Sequence, residues 1–222
     1  MDSCVTAAIA ARETEAYALH ISYGQRTESR ELAAARSVAL QLGMRDFLHL
    51  RIDLFSRIGG SALTDTTIAV PDAEPGFGES SVSSAQEIPV TYVPFRNAHF
   101  LSAAVSWAEV LGATRIYIGA VEQDSSGYPD CRPAYYQAFQ QLINTGTSDG
   151  QIQVQTPLIA KSKAEIVHLG LESHAPLDLT WSCYREEQKA CGACESCVLR
   201  LRAFAAAGVT DPIPYAPHAT GN

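Results

Sequence analysis

The chain is short of positive charge: 16 lysines and arginines stand against 24 aspartates and glutamates, a formal net charge of -8 with a pI near 5.2. Proteins that wrap a nucleic-acid backbone carry the opposite balance, so no nucleic-acid partner is expected, although a local basic pocket for a small anion fits the same totals. Long apolar runs are missing too. The best of them, FLSAAVSWAEVLGA over 100–113, is broken by Glu109 and falls short of the ~20 residues a bilayer needs. No charged leader with an apolar stretch behind it opens the sequence, so a soluble, cytoplasmic protein without a membrane partner is expected. There is no internal repeat. Of the six histidines, none has a second at metal-ligand spacing, and they are assigned no chemistry.

What the chain does have is enough apolar material for one sizeable core, 46% of 222 residues. The expected organisation is one main domain over 1–180, an appendage over 181–208 and a tail over 209–222. Asp2 and Ser3 precede an apolar, helix-like run. YALHISYG alternates as a strand within 15–24, and TESRELAAARSVALQLGM reads as a helix that opens on Thr27 with Glu31 and stops at Gly43. A strand over 46–54 is followed by a long Gly-, Ser- and Pro-rich excursion over 56–90. Then come a helix carrying Phe100, Leu101, Ala104, Val105, Ala108 and Leu111, the strand RIYIGAV, the helix AYYQAFQQLINTG and the strand QIQVQTPL. Strands alternating with helices predict an α/β fold, a Rossmann-like parallel sheet with helices on both faces. Ligands in such sheets bind beyond the carboxyl ends of the strands, where SYGQR and GAVEQDSSGYPDC lie.

The cysteines are the strongest signal. Cys183 stands eight positions before CGACESC, which holds Cys191, Cys194 and Cys197. In a reducing compartment such a set reads as metal ligands rather than disulfides. Two-residue spacers suit tetrahedral zinc, with Gly192 permitting the tight turn. An iron–sulfur cluster is the rival, but the ferredoxin run places its fourth cysteine three residues on and before proline, whereas Val198 follows here. Four protein ligands leave no open position, so the zinc is expected to be structural and to pin the C-terminal helix CVLRLRAFAAAG.

Several stretches together resemble one family, the 7-cyano-7-deazaguanine synthases of the PP-loop ATP pyrophosphatase superfamily: MDS, SYGQR, YVPFRN, GAVEQDSSGYPDC, TPL with KSKAEI, and C-x7-C-x2-C-x2-C. The likeness runs from Met1 to about Ala207. It implies a fold of the adenine nucleotide α-hydrolase type and a carbon–nitrogen ligase of queuosine biosynthesis. Its substrates would be ATP, ammonia and 7-carboxy-7-deazaguanine, with Mg2+ on the phosphates, and the family suggests a homodimer. The family loop reads Ser-Gly-Gly-x-Asp-Ser after a first, central strand, and Met1 falls on the x. Met1 is therefore expected to be an internal methionine of a longer frame, because without that strand its two neighbours would lose ladder partners.

The resemblance implies Lys163 and Arg96 as the cations at the reacting phosphates, and Asp2, Ser3, Gln25 and Arg26 as nucleotide-binding residues. For these, a solvated helix lysine, a loop-steadying ion pair and ordinary turn chemistry are the plain alternatives. The donor edge of a guanine-like ring calls for a carboxylate, and Glu122, Asp124 and Asp130 are the candidates, with Gly119 and Gly127 for close backbone approach and Tyr128 for an aromatic face. Cys131 is a nucleophile only if the chemistry requires one, and neither activation step does. Two other readings stay open: a tRNA-thiolating enzyme on the same scaffold, and a degenerate non-catalytic relative that keeps its zinc knuckle.

Overall fold

A computed structural model of the chain describes residues 1–74, 76–77, 88–122 and 128–217. The chain runs α1 (Asp2–Glu13), β1 (Ala18–Ser22), α2 (Glu28–Gln41), β2 (Phe47–Arg51), the short α3 (Leu54–Ile58), α4 (Arg96–Leu111), β3 (Arg115–Tyr117), α5 (Pro133–Gly146), β4 (Gln153–Gln155), α6 (Lys163–Glu172) and α7 (Glu195–Ala206). It is an α/β fold with parallel strands and helices on both sides. None of the described helices is long and apolar enough to cross a membrane.

The sheet comes in two halves. β1 pairs in parallel with β2, Ala18 opposite Phe47, and β3 pairs in parallel with β4, Ile116 opposite Val154. Between β1 and β3 lies a cavity of about 980 Å³, walled by the small and apolar faces of α1, α2 and α4. The strands are shorter than the alternation predicts. β2 stops at Arg51 because Asp53 begins a helical turn that carries Phe55 into a buried cluster with Tyr23, Leu63 and Val93.

Each helix buries the stripe its spacing announces. α1, α6 and α7 close on Val5, Ile166, Val167 and Phe204, while α4 and α5 close over β3 through Leu101, Ile116, Phe139 and Ile143. α6 opens on a capping box, in which the Ser162 hydroxyl accepts from the Glu165 amide and the Glu165 carboxylate accepts from the Ser162 amide. α2 differs from its expected start. Thr27 is the N-cap residue, but its hydroxyl donates to the Glu31 carboxylate (2.7 Å) and to the Cys183 carbonyl (3.2 Å) rather than accepting from the backbone. A spacing of four, one more than a capping box has, brings the two side chains together instead.

The segment expected as a tail from 209 is packed as far as it is described. Ile213 is buried, Ala190 and Tyr215 form a parallel bridge, and the Asp211 carboxylate takes two hydrogen bonds from the buried Arg200 guanidinium at 2.7 and 2.9 Å. A short run with three prolines hides this, because its order comes from a buried ion pair and a bridge to Ala190 rather than from periodicity.

Candidate active site and metal centre

The starts of α1, α2, α4 and α6 converge at the carboxyl ends of β1 and β3. A cavity of about 220 Å³ lies there, lined among others by Asp2, Ser3, Gln25, Arg26, Arg96 and Gly119. Lys163, the first residue of α6, reaches Asp2 Oδ2 with Nζ at 2.9 Å. Burial alone would raise the Asp2 carboxyl, yet the attraction of Lys163 and the chain's amino group leaves it below its ordinary value, so it is charged at neutral pH. Its Oδ1 is buried without a partner among the described residues.

Arg96 is placed by a bent backbone. Phe95 adopts φ 59°, a left-handed conformation that costs a non-glycine residue about 1 kcal/mol. That conformation is held by Phe95 N–H donating to the Tyr92 hydroxyl (3.0 Å) and by the His99 Nδ1 contact with the Phe95 carbonyl (3.0 Å). The guanidinium lies over the rings of Tyr23 and Phe100 at 5.4 and 5.8 Å and donates to the Tyr23 hydroxyl at 3.0 Å. Its Nε is buried with no partner among the described residues.

Other expected residues have duties in the scaffold. Arg26 lines the cavity, but its guanidinium donates to the carbonyls of Ala62, Asp65 and Ile68 and clasps the long loop. Gln25 accepts from the Tyr23 amide and donates to Glu31. Gly119 does permit close approach, though of the chain's own first turn: a Cβ there would sit 2.8 Å from the Ser3 nitrogen and 2.9 Å from the Asp2 carbonyl carbon. Asp130 is buried, and its carboxylate accepts from the Asn97 amide in the first turn of α4, so it caps that helix instead of facing a ring. Tyr128 hydrogen-bonds Thr91 at 2.8 Å and packs on Tyr92, and neither it nor the exposed Glu122 lines the cavity. Asp124 and Gly127 lie outside the described residues. Cys131 takes a contact from the Asn97 amide.

The sequence reading missed Glu31, Trp181, Ser182 and Tyr184, all on the cavity wall. Glu31 had a plausible local duty at a helix start. The others sit within two residues of Cys183, in a stretch whose spacing speaks only of metal binding.

The four cysteines converge as their spacing requires, with all sulfurs within 4.8 Å of one another. Zn–S bonds of about 2.3 Å put tetrahedral sulfurs roughly 3.8 Å apart. Cys191 and Cys197 sulfurs are 3.9 Å apart, so the residues present fit the ion. Gly192 turns with φ 73°. Cys183 is driven far below the ordinary thiol range, first by hydrogen bonds from Cys194 and Cys197, with help from the amides of Cys191 and Arg185. The element also grips the long loop: Asp72 bridges Cys194, the Ala73 amide donates to the Ala193 carbonyl, and Arg185 pairs with Asp72 at 2.6 Å.

The family model for the queuosine biosynthesis protein QueC matches residues 1–208. This chain belongs to the QueC family. Among curated relatives, a 7-cyano-7-deazaguanine synthase of Acidobacterium capsulatum is 72% identical over 97% of this chain and 93% of its own length. The synthases of Koribacter versatilis and Chlorobaculum tepidum are 60% and 54% identical, over 100% and 97% of this chain and 92% of their own lengths. QueC membership makes this a queuosine-biosynthesis protein, and these relatives are named as 7-cyano-7-deazaguanine synthases.

Proposed function

We propose that this chain is an ATP-dependent 7-cyano-7-deazaguanine synthase acting on 7-carboxy-7-deazaguanine and ammonia, with the cavity at the carboxyl ends of β1 and β3 as its active site. The observation that carries the reading is the convergence there of Asp2, Ser3, Gln25, Arg96 and the Lys163 ion pair from four helix starts, in a chain so close to named synthases over nearly its whole length.

A carboxylate is a poor electrophile. One of its oxygens must first attack a phosphorus of ATP and break that phosphorus's bond to its bridging oxygen, expelling pyrophosphate or ADP, so that the carboxyl carbon carries an adenylyl or phosphoryl leaving group. Ammonia then adds to that carbon, the leaving group departs with the C–O bond, and a proton is lost to give the amide. Activation of the amide oxygen by a second nucleotide, with loss of the two N–H protons and that oxygen, gives the nitrile. Lys163 and Arg96 supply fixed positive charge where negative charge develops on the leaving phosphate. The start of α1 offers amide N–H groups to phosphate oxygens.

The unpartnered Asp2 Oδ1, on a charged carboxylate in the cavity wall, fits a hard cation. Mg2+ held there would neutralise polyphosphate charge. The four cysteines would hold zinc as a structural clamp, with all four positions filled by protein ligands. A cytoplasmic setting suits ATP chemistry beside free thiols, and a homodimer is the assembly we expect.

The test is direct. The full chain, incubated with the deazapurine acid, ammonium chloride and Mg-ATP, yields the nitrile by mass spectrometry and consumes nucleotide only when the acid is present. A folded protein that does neither refutes the reading.

A further inference from the structure

Glu31 is out of place for a helix-start acid. Such residues usually sit in solvent and complement the helix dipole. Glu31 instead lines both the 220 Å³ cavity and the larger one beside it. Its Oε1 accepts from the Thr27 hydroxyl at 2.7 Å and its Oε2 from the Gln25 amide at 3.1 Å. A carboxylate has about four acceptor positions, so each oxygen keeps one unused. Burial raises the Glu31 carboxyl above its ordinary value, while the bonds from Thr27 and Gln25 and the charge of Arg96 pull the other way. The fold does not need the charge, since a glutamine would accept the same Thr27 hydroxyl. Glu31 is half-buried, and its unused acceptor positions lie on a cavity wall that a bound molecule's donors can reach.

Among the described residues lining the smaller cavity there are two acids, Asp2 and Glu31, and Asp2 is paired with Lys163. Asp130 caps α4, and Glu122 is off the cavity. The same cavity is lined by the aromatic residues Tyr23, Trp181 and Tyr184 and by Arg96, whose Nε has no partner among the described residues. The ring of a 7-deazaguanine carries two adjacent N–H donors, N1–H and the 2-amino group, with the O6 acceptor next to them and a C7 carboxylate on the O6 flank. A carboxylate faces the first pair and a guanidinium the second.

Resting on the function proposed above, we infer that Glu31 is the specificity-determining residue for the deazapurine ring: its carboxylate accepts from N1–H and the 2-amino group, with Arg96 serving O6 and the C7 carboxylate beside it. Asp124, the acid the sequence favours for this duty alongside Glu122 and Asp130, is then not required for ring selection.

The experiment compares 7-carboxy-7-deazaguanine with the analogue lacking the 2-amino group, using the full chain, Glu31→Gln and Glu31→Asp, with KM and kcat measured for acid and for ATP. Wild type prefers the amino compound by roughly 10- to 150-fold, the worth of a hydrogen bond to a charged acceptor. Glu31→Gln raises KM for the acid by a similar factor and narrows the preference to about threefold or less, with KM for ATP changed less than about twofold. Glu31→Asp, which keeps the charge but withdraws it, falls between, and carries the same readout if the glutamine variant does not fold. A variant that keeps the wild-type preference, or that loses ATP and acid affinity alike, overturns the inference and leaves the synthase reading standing. A wild-type chain that makes no nitrile overturns the synthase reading itself.

Discussion

Two ion pairs of this protein have nearly the same length and should differ greatly in worth. Arg200 and Asp211 meet at 2.7 Å with side chains 2% and 3% exposed, and Arg45 and Glu15 meet at 2.6 Å with both 61% exposed. Asp211→Ala removes the acceptor of two Arg200 bonds and of the Ile213 amide and Tyr215 hydroxyl. Among the described residues the guanidinium then keeps hydrogen bonds to Thr180, Ser182 and the Leu177 carbonyl, and its place over the Phe204 ring. At an effective dielectric of about 20, charges roughly 3 Å apart attract by about 5 kcal/mol, and removing one partner of a buried pair typically costs ~3–5 kcal/mol. For a domain of this size that lowers the melting temperature by about 6–20 °C. Glu15→Ala, in solvent, leaves it essentially unchanged. Calorimetry of both variants decides the point, and the double variant Arg200→Met with Asp211→Leu should recover most of the loss, since no unpaired charge is left behind. An Asp211→Ala protein that melts beside the Glu15→Ala protein would refute the reasoning.

Three further expectations follow the same logic. Elemental analysis should find one zinc per chain, and Cys194→Ser should lose it and expose the 70–77 segment to protease first, because that cysteine also bridges Asp72. Retained metal with an untouched cleavage pattern would count against the clamp. His20 is pushed down to about 4 by burial, then by His49 and Arg36, while an unfolded histidine protonates near 6.5. The unfolded chain thus binds more protons between those values, and stability falls as pH drops through that window. His20→Leu should flatten the melting temperature against pH there, and parallel curves for the two proteins would show that His20 is not the cause. Gly119→Ala drives a methyl group into the Ser3 and Asp2 backbone, so kcat/KM should drop at least tenfold through displacement of Asp2, and unaltered kinetics would mean the first turn of α1 yields freely.

How much of this could be read from the chain alone varied with the physics involved. The cysteine set was legible because coordination geometry is local and spacing encodes it. So were the major helices, whose apolar stripes repeat at a fixed period. The Lys163–Asp2 pair was not legible from spacing, as nothing in a lone lysine at a helix start says that it meets an aspartate 161 residues earlier, and the roles proposed for both and for Arg96 rest on motif context. Asp130 and Arg26 follow the same rule: in sequence a capping carboxylate and a loop-clasping guanidinium look identical to ligand-binding ones until their partners, Asn97 and three carbonyls, come near. Glu31 escaped because a local explanation was at hand.

The Thr27 hydroxyl, shared between Glu31 and the carbonyl of Cys183, ties the sulfur knot to the chamber. Trp181, Ser182 and Tyr184 flank that cysteine and furnish part of the chamber wall. Losing an ion held there would therefore be felt at the chamber wall as well as in the C-terminal clamp.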